Sequence, residues 1–164
     1  MVDQFEVDRA NFAGRLHPSQ RGKVLDNLWI GVFLVVAGVV ILAIAPKDSG
    51  AMFFAYMLPV IVMLGFGLWM SVRRLLDVSQ GKLVPFTGWT QDGGVHRGRQ
   101  GPQEYPIVVY TSLSRGANTV YNVRVGGQVF RIKKELYTRI QPGRNNTAFL
   151  TPHTKQLINV APTP

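Results

Sequence analysis

The chain of 164 residues has no cysteine and carries no charged residue in two long stretches. Without cysteine it can form neither a disulfide nor a thiolate metal site. The uncharged stretches are residues 28–45 and 51–72, of 18 and 22 residues. Eighteen or more uncharged, mostly apolar residues are enough for a helix that crosses a bilayer. The pattern therefore predicts an integral membrane protein with a tight transmembrane hairpin.

Acidic residues are scarce after the second stretch. Residues 73–164 contain 13 Lys and Arg against four Asp and Glu, whereas residues 1–27 contain four of each sign. The loop between the stretches holds one of each, so the whole net charge of +9 lies after residue 72. A basic segment next to a membrane is typical of contact with anionic lipids or with an acidic partner.

Lys and Arg near the ends of the stretches predict the orientation. Lys47 stands alone on one side of the hairpin. The other side carries six basic residues: Arg15, Arg21, Lys23, Arg73, Arg74 and Lys82. This asymmetry predicts a multi-pass protein of the inner (plasma) membrane with both termini in the cytoplasm. A cleaved signal peptide is the alternative, because residues 43–45 fit a cleavage site, but the preceding region lacks the positive charge that a signal peptide needs.

Three parts follow from these patterns. They are a cytoplasmic N-terminal segment (1–27), the transmembrane hairpin (28–72, with helices 28–45 and 51–72) and a basic cytoplasmic β-rich domain (73–164). In the first part, Phe5, Phe12 and Leu16 share one helical face, which suits either a segment on the membrane surface or a short, loosely ordered helix.

Small residues recur along both hydrophobic stretches. Gly31, Gly38 and Ala45 are spaced by seven, and Gly67 and Ser71 by four. Small residues let helix backbones approach each other closely in lipid. The spacing therefore predicts packing of the two helices against each other, with self-association of hairpins as the alternative.

From residue 82 onward the pattern changes to short β-branched stretches divided by turn residues. We expect strands at 82–90, 105–113, 119–125, 128–132, 146–151 and 156–160, a polar loop with a hairpin tip at 91–103, and a helix at 133–140. Gly126 and Gly127 should form a two-residue hairpin turn, and Pro85 should make the first strand an edge or bulged strand. Residues 73–80 should continue the second helix as far as Gly81. The fold class is thus an α+β membrane protein, in which a two-helix transmembrane hairpin precedes a small all-β barrel, OB-like or SH3-like, with one short helix.

Catalytic constellations are not evident in the sequence. His17, His96 and His153 have no ligand spacing, and the acids of the C-terminal domain form no pair. Asp77 is expected to face solvent beside Arg73 or Arg74. We therefore expect neither an enzyme nor a bound cofactor or metal.

The basic residues are the positive lead toward function. Residues expected to contact the membrane surface or a partner are Arg73, Arg74, Lys82, Arg97, Arg99, Lys133 and Lys134. Anionic lipids attract such groups at about 1 kcal/mol each near the surface. The sequence favours a membrane-anchored adaptor or scaffold whose partners are membrane lipids and either a protein or a second copy. A nucleic-acid-binding domain is the alternative, because OB-folds bind single strands on aromatic side chains such as Tyr105, Tyr110, Tyr121 and Phe130 would provide.

Several short motifs carry a resemblance to a known group. They are residues 14–16 with 20–21, residues 76–77 with 81–82, residues 121–132 with Tyr137, residues 142–143, and residues 150–155 with Leu157. Through them the chain resembles an uncharacterised group of bacterial double-spanning membrane proteins with a C-terminal β-rich domain. The resemblance implies a membrane protein of unknown role and brings no catalytic residues. The architecture is also loosely similar to NfeD-like proteins, which place an OB domain after membrane helices and work beside membrane proteases or stomatin-type partners.

Overall fold

The helices and strands fall into two units in the computed structural model, which describes residues 3–26, 28–44, 51–96, 105–113 and 119–164. The helical unit comprises Leu16–Lys82, and the sheet unit comprises Met1–Arg15 together with Leu83–Pro164. The N-terminal helix belongs with the strands, and residues 73–82 belong with the apolar helices.

The elements follow one another along the chain as a helical part and then a sheet. The helices are α1 (Gln4–Phe12), a 3-10 turn (Pro18–Gln20), α2 (Arg21–Leu25), α3 (Leu28–Ile44), α4 (Ala51–Gln80) and, between the fourth and fifth strands, α5 (Lys134–Tyr137). The strands are β1 (Val84–His96), β2 (Ile107–Leu113), β3 (Thr119–Val125), β4 (Gln128–Ile132), β5 (Arg144–Leu150) and β6 (Leu157–Pro162).

Helix α4 ends where the sequence predicted. It continues through residues 73–80, and Gly81 follows it with φ +58°, a left-handed conformation that ends helices. The Gly81 N–H donates to the Asp77 carbonyl at 3.2 Å, and the Gly81 carbonyl accepts from the Leu16 N–H at 2.7 Å. This part of the prediction is confirmed.

One curled sheet of six strands, a half-barrel, forms the sheet unit, with the order β4-β3-β2-β1-β5-β6. Neighbours are antiparallel except β1 and β2, which are parallel. The turn predicted at Gly126 and Gly127 is confirmed, since both residues have positive φ (+54° and +88°) as a two-residue hairpin requires. A small β domain with one short helix is therefore confirmed, in the form of a half-barrel.

Strand β1 corrects the prediction of a loop at 91–103. Residues 91–96 continue the strand, and Gly94, with φ +66°, lies in an irregularity between Asp92 and Val95. Tight turns and one class of β-bulge both require a residue with positive φ, so the same glycine suits either one. In this strand, Gly94 lies at a bulge and not at a hairpin tip. Residues 97–103 of that loop lie outside the described residues. Pro85 was expected on an edge or bulged strand, and its part of β1 indeed pairs with β5 alone.

An apolar core cluster of the sheet unit lies on one face of the sheet, and the opposite face also buries Val108, Tyr110 and Phe149. The buried side chains of the cluster are Ile107, Val109, Val123, Val125, Ile140, Ala148 and Val160. Leu136 and Tyr137 of α5 pack against them, so the short helix covers the face that carries the cluster. At Thr90, where β1 changes partner from β5 to β2, the Asn146 Nδ2 donates to the Thr90 hydroxyl at 2.8 Å.

Candidate membrane-contact site

Apolar side chains cover the outside of the two long helices. Those at least one-third exposed are, on α3, Trp29, Val32, Phe33, Val36, Val39, Val40, Ile41, Leu42 and Ile44 and, on α4, Leu58, Ile61, Val62, Phe66, Leu68, Trp69, Val72, Leu75 and Leu76. An apolar surface of this extent is unusual in soluble proteins and marks a site of membrane or protein contact.

Glycines form the contact between α3 and α4. A Cβ on Gly31 would lie 2.9 Å from the Gly67 carbonyl and would overlap the Ser71 side chain, and a Cβ on Gly38 would lie 2.6 Å from Leu64. The contacts run in opposite directions along the two helices, which are therefore antiparallel. The predicted packing of the stretches through Gly31, Gly38, Gly67 and Ser71 is confirmed, whereas Ala45 lies outside the described residues.

One described helix segment, Met57–Gln80, is by itself long and apolar enough to cross a membrane. Helix α3 has 17 described residues, which is too short to meet this criterion of length and hydropathy by itself. It meets the criterion only together with Pro18–Leu25, and the two segments are bent by 42° relative to each other. Length and composition thus establish one apolar helix that could span a bilayer.

The basic residues predicted to contact the membrane or a partner lie in both units. Arg73 stacks on Trp69, with its guanidinium carbon 4.6 Å from the ring centroid. Arg74 instead contacts α2, where its Nη1 donates to the Val24 carbonyl at 3.0 Å. Because that carbonyl lies in the last turn of α2, the positive charge caps a helix C-terminus.

The other predicted contact residues are exposed or lie outside the description. Lys82 is exposed just after α4, and Lys133 and Lys134 are exposed at the start of α5 in the sheet unit. Arg97 and Arg99 lie outside the described residues. The structure therefore brings together Arg73 and Arg74 on one helix and Lys133 and Lys134 on another element.

Asp77 was expected to face solvent, and this expectation is wrong. The side chain is fully buried in the helical unit. Helical spacing places Asp77 near Arg73 and Arg74 along the chain, but it does not reveal which face of α4 is covered by other elements. Because α2 also packs against α4, a position that is outward on an isolated helix becomes interior.

The sequence did not reveal that α1 packs against the sheet. Asp8 forms an ion pair with Arg139 at 2.5 Å and accepts a hydrogen bond from the Asn159 Nδ2 at 2.8 Å. The Phe12 ring meets the buried Phe149 ring edge-on, with centroids 5.1 Å apart. This long-range contact replaces the loosely ordered helix of the prediction with a docked one.

One position in this contact is unfavourable. Asn11 is fully buried, and neither its side-chain oxygen nor its side-chain nitrogen has a hydrogen-bond partner among the described residues. An unpaired buried polar group costs about 1–3 kcal/mol. The docking of α1 therefore combines specific attractive contacts with one internal penalty.

Two tyrosines of the sheet unit, Tyr110 and Tyr137, have raised pKa values. The rings of Tyr121 and Tyr137 are 4.9 Å apart, and the Asp92 carboxylate accepts from the Gly94 N–H at 2.9 Å. Burial raises the pKa of Tyr137, and the negative charge of Asp92 raises it further. Burial also raises the pKa of Tyr110, and the positive charge of Arg124 partly offsets this increase. Both shifts keep these tyrosines in the neutral form to higher pH.

The aromatic residues considered as platforms for nucleic-acid bases are mostly inside the sheet unit. Tyr110 is 1% exposed, Phe130 packs on the core, and Tyr121 lies against Tyr137. Tyr105 is 38% exposed, which leaves one open platform of the four. The geometry therefore gives little support to stacking of successive bases.

Within the described part of the chain, no group of three or more His, Asp or Glu side chains is placed to hold a metal ion. No protein-family model, curated protein or solved structure matches the chain.

Proposed function

We propose that the protein is a membrane-anchored adaptor or scaffold that holds the sheet unit at the cytoplasmic face of the inner membrane. In this proposal α3 and α4 both cross the bilayer, and the sheet unit meets lipid headgroups and a protein partner or a second copy. The chain itself performs no catalysis. The observation that carries the proposal is the docking of α1 on the strands that follow α4.

That docking bears on the number of membrane crossings. Asp8 and Phe12 contact Arg139 and Phe149, and the Leu83 N–H donates to the Gly14 carbonyl at 2.8 Å. Residues 3–15 and 83–164 must therefore lie on the same side of any membrane. A single crossing by α4 would put them on opposite sides, so the chain must cross an even number of times between them. If α4 spans the bilayer, α3 must span it too.

The surface of α3 fits this requirement. Gly31 and Gly38 let it approach α4 closely, and many of its exposed side chains are apolar. In lipid, helices associate by such close packing of small residues while apolar side chains face the acyl chains. Its 17 residues reach about 26 Å at 1.5 Å each, close to the roughly 30 Å of a hydrocarbon core.

The proposed orientation rests on the distribution of basic residues next to the apolar stretches. Six Lys and Arg lie on the side of the two termini, and Lys47 alone lies on the side of the connecting loop. Positive residues are retained on the cytoplasmic side, which places both termini and the sheet unit there. The sheet unit then lies next to anionic inner-leaflet lipids, which suits exposed cations such as Lys133 and Lys134.

The absence of native cysteine makes the crossing test direct. Single cysteines are introduced by S49C, between the two apolar stretches, and by T163C, just after β6. Intact spheroplasts are then treated with an impermeant maleimide. We expect S49C to react from outside and T163C to react only after lysis. Labelling of both from the same side would refute the two-span hairpin.

The adaptor role needs its own test. A photo-crosslinking amino acid at Lys134, on the exposed start of α5, should join the chain in membranes to one defined protein or to a second copy. The same amino acid at the buried position Val123 is the matched control and should give no such product. A chain that stays a solitary monomer in membranes and in mild detergent would contradict the adaptor proposal.

A further inference from the structure

Two adjacent arginines of α4, Arg73 and Arg74, make different contacts. Arg74 is engaged inside the helical unit, where it donates to the Val24 carbonyl. The Arg73 guanidinium lies over the Trp69 ring, and no described residue pairs with its charge or accepts a hydrogen bond from it. A guanidinium that stacks through its face keeps its N–H groups available along its edge. Arg73 therefore presents unused donors beside an aromatic ring that is 53% exposed.

The packing of the helices shows at which level this pair lies. Gly31 of α3 faces Gly67 and Ser71 of α4. Trp29 precedes Gly31 by about 3 Å along the axis, and Arg73 lies about 3 Å beyond Ser71 in the same direction. Trp29 is 65% exposed. Two exposed tryptophans and one cation therefore share one level of the helix pair, as in the aromatic belts at membrane interfaces.

Apolar surface continues on both sides of Arg73. Phe66 and Val72 are exposed before it along α4, and Leu75 and Leu76 are exposed after it. The cation is thus set within the apolar surface and not beyond its end. In a bilayer the negatively charged group next to the acyl chains is the lipid phosphate, and guanidinium groups bind phosphate oxygens in a bidentate manner.

We propose that Arg73, held over the Trp69 ring, binds the phosphate of a phospholipid in the leaflet at the N-terminal end of α3 and the C-terminal end of α4. This site rests on the proposed function, because it requires both helices in the bilayer. Its specific content is that one arginine of the pair binds the phosphate of one lipid and thereby fixes the depth of the helices. A lysine at the same position would keep the charge but lose the planar stacking and the paired donors.

The test uses the full chain in a neutral maltoside detergent, with W29F and W89F leaving Trp69 as the fluorophore. Dioctanoyl-phosphatidylglycerol is titrated as the phosphate-bearing probe, dioctanoylglycerol as the same chains without phosphate, and inorganic phosphate as the free anion. We expect a saturable change in Trp69 emission with the first probe alone. R73Q should weaken that affinity at least tenfold, R73K should lie between, and R9Q should stay within twofold as the matched Arg-to-Gln control on the exposed face of α1.

Each contrary result overturns a stated part of the inference. Equal responses to the two lipids would show that phosphate is not recognised, and an equal response to inorganic phosphate would assign a free anion in place of a lipid. Equal weakening by R73Q and R9Q would reduce the effect to net charge. If circular dichroism shows R73Q misfolded, R73K carries the comparison, and affinity equal to the parent's would refute the role of the planar group.

Flotation of the same protein with phospholipid vesicles separates this inference from the proposed function. A chain that floats and resists extraction by alkaline carbonate, yet needs no Arg73 for lipid binding, refutes the phosphate site alone. A chain that fails to float refutes the membrane anchor, and the lipid site with it.

Discussion

Asp8 forms an ion pair with Arg139, 131 residues further along the chain, and accepts a hydrogen bond from Asn159 as well. The partners lie on opposite sides of the apolar helices in the sequence. Their contact makes the two ends of the chain one folded unit. In the proposed function, the same contact requires an even number of membrane crossings between these ends.

Replacement of Asp8 by alanine should loosen α1. The change removes a partly exposed ion pair with Arg139, a hydrogen bond from Asn159 and a long, exposed one from Gln4. Hydrogen bonds to charged groups contribute about 1.5–3 kcal/mol each. Hydrogen exchange of the α1 amides in detergent should accelerate at least tenfold. E6A, at an exposed position of the same helix, is the control and should leave the exchange unchanged. Equal exchange in D8A and the parent would contradict the role of this pair.

Replacement of Asn11 by leucine should have the opposite effect. Leucine has a similar size, and it removes a carboxamide that is buried without a partner. The expected gain is about 1 kcal/mol, at the lower end of the cost of an unpaired buried polar group. The same exchange measurement should show slower exchange of the α1 amides. Faster exchange in N11L would show that Asn11 has a polar partner, such as a bound water.

Because glycines lie in the contact between α3 and α4, we expect substitutions of two glycines of α4 to differ in their effect on stability. G67A should destabilise the helix pair by about 1–3 kcal/mol, because overpacking costs that much, and a Cβ there would lie 2.8 Å from the Gly31 carbonyl. G65A is the matched control, since nothing lies within 4 Å of its Cβ position. Thermal unfolding in detergent measures both, and equal melting temperatures of G67A and G65A would argue against the packing.

Replacement of Arg73 and Arg74 together by glutamate should weaken the orientation of the hairpin. The number of basic residues on the side of the termini falls from six to four, against one on the side of the connecting loop. The orientation of membrane helices follows this difference. Labelling of T163C should then begin to appear from outside in a fraction of the molecules. The lysine control, R73K with R74K, should keep the parental labelling, whereas identical labelling of the glutamate variant would show that other features set the orientation.

The tyrosines predict a loss of stability at high pH. The pKa values of Tyr110 and Tyr137 are raised in the folded chain, so folding binds their protons more tightly than the unfolded chain does. The two tyrosines contribute fully to the free energy of unfolding below about pH 10, the pKa of tyrosine in the unfolded chain. This contribution is lost as the pH rises through their pKa values in the folded chain. The unfolding midpoint of the parent should therefore fall between pH 9 and 11 more steeply than that of Y110F, with Y105F as the exposed control. A parallel decline of all three would contradict this assignment.

The sequence alone determined the features that depend on neighbouring residues. The strands 119–125 and 128–132 and the turn between them have the predicted bounds, because the alternation of β-branched residues and the Gly126-Gly127 pair act locally. The continuation of α4 to residue 80 and its end at Gly81 follow from helix propensity and a left-handed glycine for the same reason.

The tertiary structure decided what depends on residues far apart in the chain. It placed α1 on the sheet through Asp8, Phe12 and their distant partners, and it buried Asp77, which local spacing had placed in solvent. It also paired β1 with β2 in parallel and distinguished Arg73 from Arg74. Periodicity shows which side of an element is apolar, but not which other element covers it. That choice is made by packing among all elements at once, and a single sequence holds no local sign of it.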